Sequence, residues 1–202
     1  MGLKGKLYGA IISVGLLAVG GHGLATAMTN REPVTYAADT YLRERPDDEW
    51  LTLTNASIDL TQAGYSSIKV AGNITDVYVP LFASDDEEQS FVSVVLLTTD
   101  PDIRQTVKEM KELLNASDEE ILEYLDANID RIFFQQDVSG LVDNLMTSDA
   151  KEDLEAIYGA SLSPNVVLIK HNGKPSLLIS GLLMGGGVLM GGLMIRPMLT
   201  KG

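Results

Sequence analysis

The segment FVSVVLLTTDPDIRQTVKEM, residues 91–110, decides the fold class because it joins a buried strand to an amphipathic helix. Residues 91–97 are apolar except for Ser93, which predicts a strand covered on both faces. Asp100 and Pro101 then mark a helix start, since aspartate caps helices and proline suits the first helical position. Apolar residues follow at helical spacing: Ile103, Val107, Met110 and Leu114.

Upstream of this segment, residues 50–81 alternate between apolar and polar side chains, as half-buried strands do. The alternating apolar residues are Leu51, Leu53, Ile58, Leu60, Ile68, Val70, Val77, Val79 and Leu81. Polar and glycine-containing stretches between them predict turns. We therefore expect an antiparallel arrangement of several strands before the helix.

Downstream, the pattern changes to helices. Ser117 and Glu120 form a capping box, and the helix after it has an apolar face of Ile121, Leu122, Leu125, Ile129 and Ile132. A third, short helix is predicted from Val138, Leu141, Val142 and Leu145, and a fourth from Leu154, Ile157 and Tyr158, closed by Gly159. Residues 164–170 return to strand. The predicted class is α+β, with a mainly antiparallel sheet followed by helices in one domain.

Both ends of the chain are long, apolar and uncharged. Residues 7–28 and 175–195 contain no Asp, Glu, Lys or Arg, and about 20 apolar residues suffice for a helix to cross a bilayer. We expect two transmembrane helices flanking an extracytoplasmic domain at 29–174. Residues 1–6 and 196–202 are then cytoplasmic tails.

Charge gives this arrangement a direction. Lys4 and Lys6 precede the first apolar run, and Arg196 and Lys201 follow the second, so the positive-inside rule places both ends in the cytoplasm. Residues 32–155 contain 28 acids and eight bases, a net charge of −20. The expected location is a bacterial inner membrane with the acidic domain in the periplasm; a eukaryotic endomembrane with a lumenal domain is the alternative.

The first apolar run has a second interpretation, as a secretory signal peptide. Lys4 and Lys6 would form its basic region, and residues 25–27 read Ala-Thr-Ala, an A-x-A cleavage site. Cleavage after Ala27 would leave only the C-terminal anchor. The length of the uncharged run favours a retained helix, and the sequence leaves both interpretations open.

Glycines within the apolar ends predict helix packing. Gly181 and Gly185 lie four residues apart, as do Gly187 and Gly191, and Gly15 belongs to a series of small residues in the first helix. Small residues allow helix backbones to approach closely in lipid. Besides membrane lipids, the expected partners are other membrane proteins or further copies of this chain.

The remaining residues offer little catalytic chemistry. The chain has no cysteine and two histidines, which gives too few nitrogen and sulfur ligands for a zinc site. No nucleotide-binding motif occurs, no cofactor is predicted, and a strongly acidic domain repels nucleic acid. Asp85, Asp86, Glu87 and Glu88 form an acidic cluster that could bind calcium, although without EF-hand spacing.

The sequence therefore favours a membrane-anchored structural or accessory protein over an enzyme. Its acidic domain and glycine-rich helices would mediate protein–protein association in a membrane assembly. The alternative is a membrane-tethered enzyme that uses carboxylates, or a domain that binds a small ligand or calcium.

Overall fold

The computed structural model describes residues 3–29, 31–67, 74–82, 91–143 and 146–199. It divides the chain into two compact units. One unit contains the two terminal helices, α1 (Leu3–Thr29) and α7 (Leu177–Leu199). The other is the domain Pro33–Gly173.

The domain is built on a seven-stranded sheet. Its strands in chain order are β1 (Val34–Ala37), β2 (Trp50–Asp59), β3 (Gly64–Ser67), β4 (Ile74–Pro80), β5 (Val92–Thr98), β6 (Phe133–Val142) and β7 (Leu162–His171). In space they follow the order β1-β2-β6-β7-β5-β4-β3. β1 pairs with β2 and β5 pairs with β7 in parallel, and the remaining neighbours are antiparallel.

Five described helices accompany the sheet: α2 (Ala38–Glu44), α3 (Pro101–Glu112), α4 (Asp118–Ala127), α5 (Ile129–Ile132) and α6 (Ser148–Tyr158). The larger core cluster contains residues of α2, α3 and α5 together with alternate residues of the strands. A smaller cluster holds Leu154 of α6 with Val95 and Leu168 of the central strands. Apolar side chains therefore cover two faces of the sheet, as in a layered α+β domain.

The α+β class is confirmed, and the sheet is mixed, with four antiparallel and two parallel pairings among the described strands. The parallel β5–β7 pair results from the long connection between these strands, which contains α3 to α6. A parallel pair needs such a crossover, whereas the alternation within each strand is the same for both kinds of pairing. The prediction also missed β1 and α2, which precede the first alternating run.

The predicted third helix is wrong where the structure describes it. Val138, Leu141 and Val142 belong to strand β6, and Leu145 lies outside the described residues. Their spacing fits a helix, but β6 pairs with β2 from Trp50↔Leu141 to Asp59↔Phe133 and with β7 at its other edge. Pairing on both sides outweighs a short local pattern, because strand preference depends strongly on neighbouring strands.

The helix after the capping box also differs from the prediction. Ser117 and Glu120 do form the box, but the helix ends at Ala127 and α5 begins after Asn128, whose φ of −124° is not helical. Leu122 and Ile129, expected on the buried face, are 66% and 48% exposed. Ile132 is fully buried, so only part of the predicted apolar stripe faces the core.

Other predictions agree with the described elements. Asp100 caps α3 by accepting hydrogen bonds from the backbone N–H groups of Asp102 and Ile103. The fourth predicted helix is α6, which ends at Gly159, and residues 164–170 lie within β7. The expected strand at Ile68–Val70 falls outside the described residues.

Candidate interaction surfaces

Within the terminal unit, α1 and α7 pack against each other through small residues. The buried Ser13 hydroxyl donates a hydrogen bond of 2.7 Å to the Gly187 carbonyl. A Cβ on Gly187 would lie 2.9 Å from Leu17 Cγ and 3.0 Å from the Leu17 nitrogen. A larger residue at position 187 would therefore push the helices apart.

The same contact continues towards the other end of the pair. A Cβ on Gly20 would lie 2.5 Å from the Met184 nitrogen, and one on Gly23 would lie 2.5 Å from Ser180 Oγ. A Cβ on Gly191 would lie 2.9 Å from Ser13 Oγ. As α1 advances from residue 13 to 23, its partners in α7 recede from 191 to 180, so the two helices are antiparallel.

The predicted packing glycines divide into two groups. Gly187 and Gly191 lie at the α1–α7 contact, whereas a Cβ on Gly181, Gly185 or Gly15 would meet nothing within 4 Å. The contact instead uses Gly20, Gly23 and Ser180, which the sequence analysis did not single out. The sequence does contain a pattern that points to Gly20 and Ser180. Gly20 lies seven residues after Ser13, and Ser180 lies seven residues before Gly187, and residues seven apart lie on one side of a helix.

Large apolar side chains cover the outer sides of both helices. The exposed ones include Ile11, Val14, Leu182, Leu189 and Leu193. Among the described residues, one helix, at Leu7–Met28, has the length and composition to cross a bilayer, while the apolar part of α7 at Leu177–Leu193 is shorter. The expectation of two transmembrane spans thus remains a prediction, because α1 meets the criterion by length and composition only and the apolar part of α7 does not meet it.

In the domain, the N-terminus of α3 borders an acidic groove. Its cavity measures about 270 Å³ and lies between α3, α5 and β6. The lining residues are Asp100, Asp102, Ile103, Thr106, Asp130, Arg131, Phe134 and Gln136. Three carboxylates therefore border one cavity, a juxtaposition brought about by elements that are separated in sequence.

Arg131 is held in place at the side of the groove. Its guanidinium donates to Thr106 Oγ1 at 3.1 Å and to Asn128 Oδ1 at 2.9 Å, and it forms an ion pair with Glu109 at 3.1 Å. Glu109 also accepts hydrogen bonds from Gln105 and Tyr124, and these donors, Gln105 first, lower the pKa of Glu109. This network orders the side of the groove.

A second polar cluster lies at the carboxyl ends of the parallel strands β5 and β7. Thr98 Oγ1 is 2.9 Å from His171 Nδ1 and accepts a hydrogen bond of 3.1 Å from the Asp100 backbone N–H. Burial lowers the pKa of His171, with Asp100 opposing that effect. Thr98 is only 1% exposed, so its hydroxyl joins the two strand ends and is not accessible as a nucleophile.

The acidic residues singled out as calcium ligands give no site that can be described. Asp85, Asp86, Glu87 and Glu88 lie outside the described residues. Across the described ranges, no group of three or more His, Asp or Glu side chains is arranged to hold a metal ion. His22 lies in α1 and His171 in β7, in different units of the chain.

Comparison with known proteins identifies no relative. No protein-family model, no curated protein and no solved structure matches the chain.

Proposed function

We propose that this chain is a membrane-anchored accessory protein whose acidic domain docks a protein partner outside the cytoplasm. Both terminal helices would lie in the membrane and both termini in the cytoplasm. The domain Pro33–Gly173 would then be in the periplasm of a bacterial cell.

The observation that carries the proposal is the antiparallel packing of α1 on α7. The α7 residues at this contact, 180–191, lie opposite residues 13–23, in the middle of the apolar segment Leu7–Met28. A bilayer that surrounds α1 would therefore surround α7 as well. The apolar part of α7, Leu177–Leu193, has a length of about 26 Å at 1.5 Å per residue, at the lower end of the range of about 17–25 residues that crosses a bilayer.

Antiparallel helices also agree with the charge distribution. Leu3 and Leu199 lie at the same end of the pair, and the basic residues Lys4, Lys6, Arg196 and Lys201 are at these ends of the chain. The positive-inside rule places such a cluster in the cytoplasm. The opposite ends, Thr29 and Leu177, lead into the acidic domain.

The continuity of α1 supports a retained anchor over a cleaved signal peptide. The helix runs without interruption from Leu3 to Thr29 and includes Gly20, Gly21 and Gly23 as well as the Ala25-Thr26-Ala27 triplet. Removal of residues 1–27 would take away Ser13, Leu17, Gly20 and Gly23, which form the α1 side of the contact described above. The buried Ser13–Gly187 hydrogen bond would then be lost.

A carboxylate-based enzyme is less well supported. A catalytic acid needs a raised carboxyl pKa at neutral pH, whereas the carboxyl pKa shifts resolved among the described residues, those of Glu109 and Glu120, are both downward. Hydrogen-bond donors cause both shifts. We therefore assign the acidic surface to partner docking.

Cysteine labelling tests the proposed arrangement, because the chain has no native cysteine. In intact spheroplasts of a bacterial host, a membrane-impermeant maleimide should label Glu152→Cys, an exposed position on α6. It should label Gly2→Cys only after the membrane is permeabilised. Labelling of Gly2→Cys from outside, or loss of residue 2 from the mature protein, would refute the double anchor.

A further inference from the structure

In the α4–α5 segment, two exposed apolar residues flank the break between the helices. Leu122 of α4 is 66% exposed and Ile129 of α5 is 48% exposed, and the non-helical Asn128 separates the two helices. The inward side of the segment is already packed, because Tyr124, Leu125 and Ile132 contact the core. Leu122 and Ile129 therefore present apolar surface that the domain itself does not cover.

The side chains around this apolar pair are acidic. Besides Glu120 of the capping box, five exposed carboxylates belong to the same segment: Asp118, Glu119, Glu123, Asp126 and Asp130. The one base of the segment, Arg131, is ion-paired with Glu109 at 3.1 Å. We call Leu122, Ile129 and these five acids the acidic ridge.

The acidic ridge meets the acidic groove at Asp130, which belongs to both. Beyond Asp130 the groove adds the carboxylates of Asp100 and Asp102, with Phe134 as an apolar wall. Its volume of about 270 Å³ has room for one long side chain. A ligand that contacts Ile129 can thus also place a cationic group beside the carboxylates of Asp102 and Asp130. Arg131 of the same lining is paired with Glu109, and Asp100 caps α3.

We infer that the acidic ridge and the acidic groove together bind a basic amphipathic helix of a protein partner. The apolar side of that helix packs on Leu122 and Ile129, and one of its Lys or Arg side chains enters the groove. The inference rests on the proposed function, which requires a partner for the domain. It deepens that proposal by assigning the docking surface and the chemistry of the partner.

Charge complementarity selects this occupant over the alternatives. Residues 32–155 have a net charge of −20, so a second copy of the domain would bring like charge to the ridge, which disfavours the pairing. An anionic lipid surface would be repelled for the same reason. A basic amphipathic helix matches both the negative charge of the ridge and its exposed apolar residues.

The test uses the full-length chain in nanodiscs of zwitterionic lipid, with an environment-sensitive fluorophore on a single cysteine. Ala127→Cys reports on the ridge, and Ala156→Cys, an equally exposed alanine position on α6, serves as the control. The probe is a synthetic peptide of about 18 residues that forms a helix with leucines along one side, lysines beside them and alanines at the remaining positions. The alanines keep like charges from repelling one another all round the helix. Control peptides carry glutamate in place of lysine, or the same residues in shuffled order.

We expect a saturable signal from the label at 127 and none from the label at 156. Leu122→Ser with Ile129→Ser, and separately Asp102→Asn with Asp130→Asn, should each weaken peptide binding at least about tenfold. Asp149→Asn with Glu152→Gln on α6 should change it less than about twofold. All these side chains are exposed or line the groove, so circular dichroism should show unchanged folding.

Three results would overturn the inference. These are the absence of a saturable signal at position 127 up to about 1 mM peptide, equal weakening by the α6 variants, and equal binding of the shuffled peptide. The last two would show that general electrostatic attraction explains the binding. The readout does not depend on which side of a membrane the domain faces, so its failure is separate from failure of the cysteine-labelling test.

Discussion

The Ser13 hydroxyl donates a 2.7 Å hydrogen bond to the Gly187 carbonyl, across 174 positions of the sequence. Ser13 is buried and Gly187 has no side chain, so the two helix backbones approach closely at this point. Close approach through small residues is how helices associate in lipid, where apolar burial gives little driving force. The terminal helices thus associate through small residues, which supports the proposed membrane-embedded pair.

Replacing Gly187 with leucine should separate the helix pair. The new Cβ alone would lie 2.9 Å from Leu17 Cγ, and the backbone of α1 blocks further adjustment. We expect the full-length Gly187→Leu variant in mild detergent to lose the α1–α7 contact at a clearly lower dodecyl sulfate concentration than the wild-type protein does. Gly186→Leu is the matched control, because a Cβ at 186 would meet nothing within 4 Å. Equal sensitivity of the two variants would contradict the packing described here.

Gly140→Ala should destabilise the domain at the β6–β7 pairing. A Cβ at position 140 would lie 2.7 Å from the Lys170 carbonyl oxygen and 2.6 Å from Ile169 Cγ2. Overpacking of this kind costs about 1–3 kcal/mol. Urea unfolding followed by tryptophan fluorescence measures the loss, since Trp50 in β2 pairs with Leu141 of β6. The exposed β6 variant Gln135→Ala should stay close to wild type, and an unaffected Gly140→Ala would refute this register.

Removing the Ser117 cap should weaken α4. The Ser117 side chain accepts a hydrogen bond from the Glu120 backbone, and the Glu120 carboxylate accepts one from the Ser117 backbone. Ser117→Ala loses the first of these and should cost about 1 kcal/mol in the free energy of unfolding. Ser148→Ala, inside the first turn of α6 and not its cap, should change the unfolding midpoint much less.

His171 should make domain stability depend on pH. Burial lowers its folded-state pKa below the ordinary value, so the unfolded chain takes up a proton first as the pH falls through about 6.5. The stability that neutral His171 contributes is complete above this pH and decreases below it until the folded-state pKa is reached. The stability difference between wild type and His171→Gln should therefore be larger at pH 7.5 than at pH 5.5. A difference that grows on acidification would show that protonated His171 is the stabilising form.

The elements that the sequence predicted well are those governed by local interactions. The Asp100-Pro101 start of α3, the Ser117–Glu120 box and the end of α6 at Gly159 depend on neighbouring residues alone. Strand β6 was mistaken for a helix because its conformation is imposed by β2 and β7, which are distant in sequence. Strand pairing of that kind leaves no local pattern for residues 138–142.

The candidate surfaces, like strand β6, depend on contacts between residues that are distant in sequence. The glycine content of the ends indicated helix packing, but which glycines lie at the contact depends on the register between α1 and α7. Gly20 and Gly187 are brought together by that register, while Gly181 and Gly185 face away from α1. The acidic groove likewise combines Asp102 of α3 with Asp130 of α5, an arrangement that only the folded chain creates.

A disulfide between positions 23 and 180 tests the paired double anchor most directly. A Cβ on Gly23 would lie 3.4 Å from the Cβ of Ser180, close to the separation of about 3.8 Å in a disulfide. Membranes containing Gly23→Cys/Ser180→Cys should form an intramolecular disulfide under mild oxidation, seen as a mobility shift that reductant reverses. Gly21→Cys/Ser180→Cys should not, because a Cβ at 21 meets nothing within 4 Å. The account would be contradicted if the first pair failed to cross-link and an N-terminal tag were also missing from the mature chain.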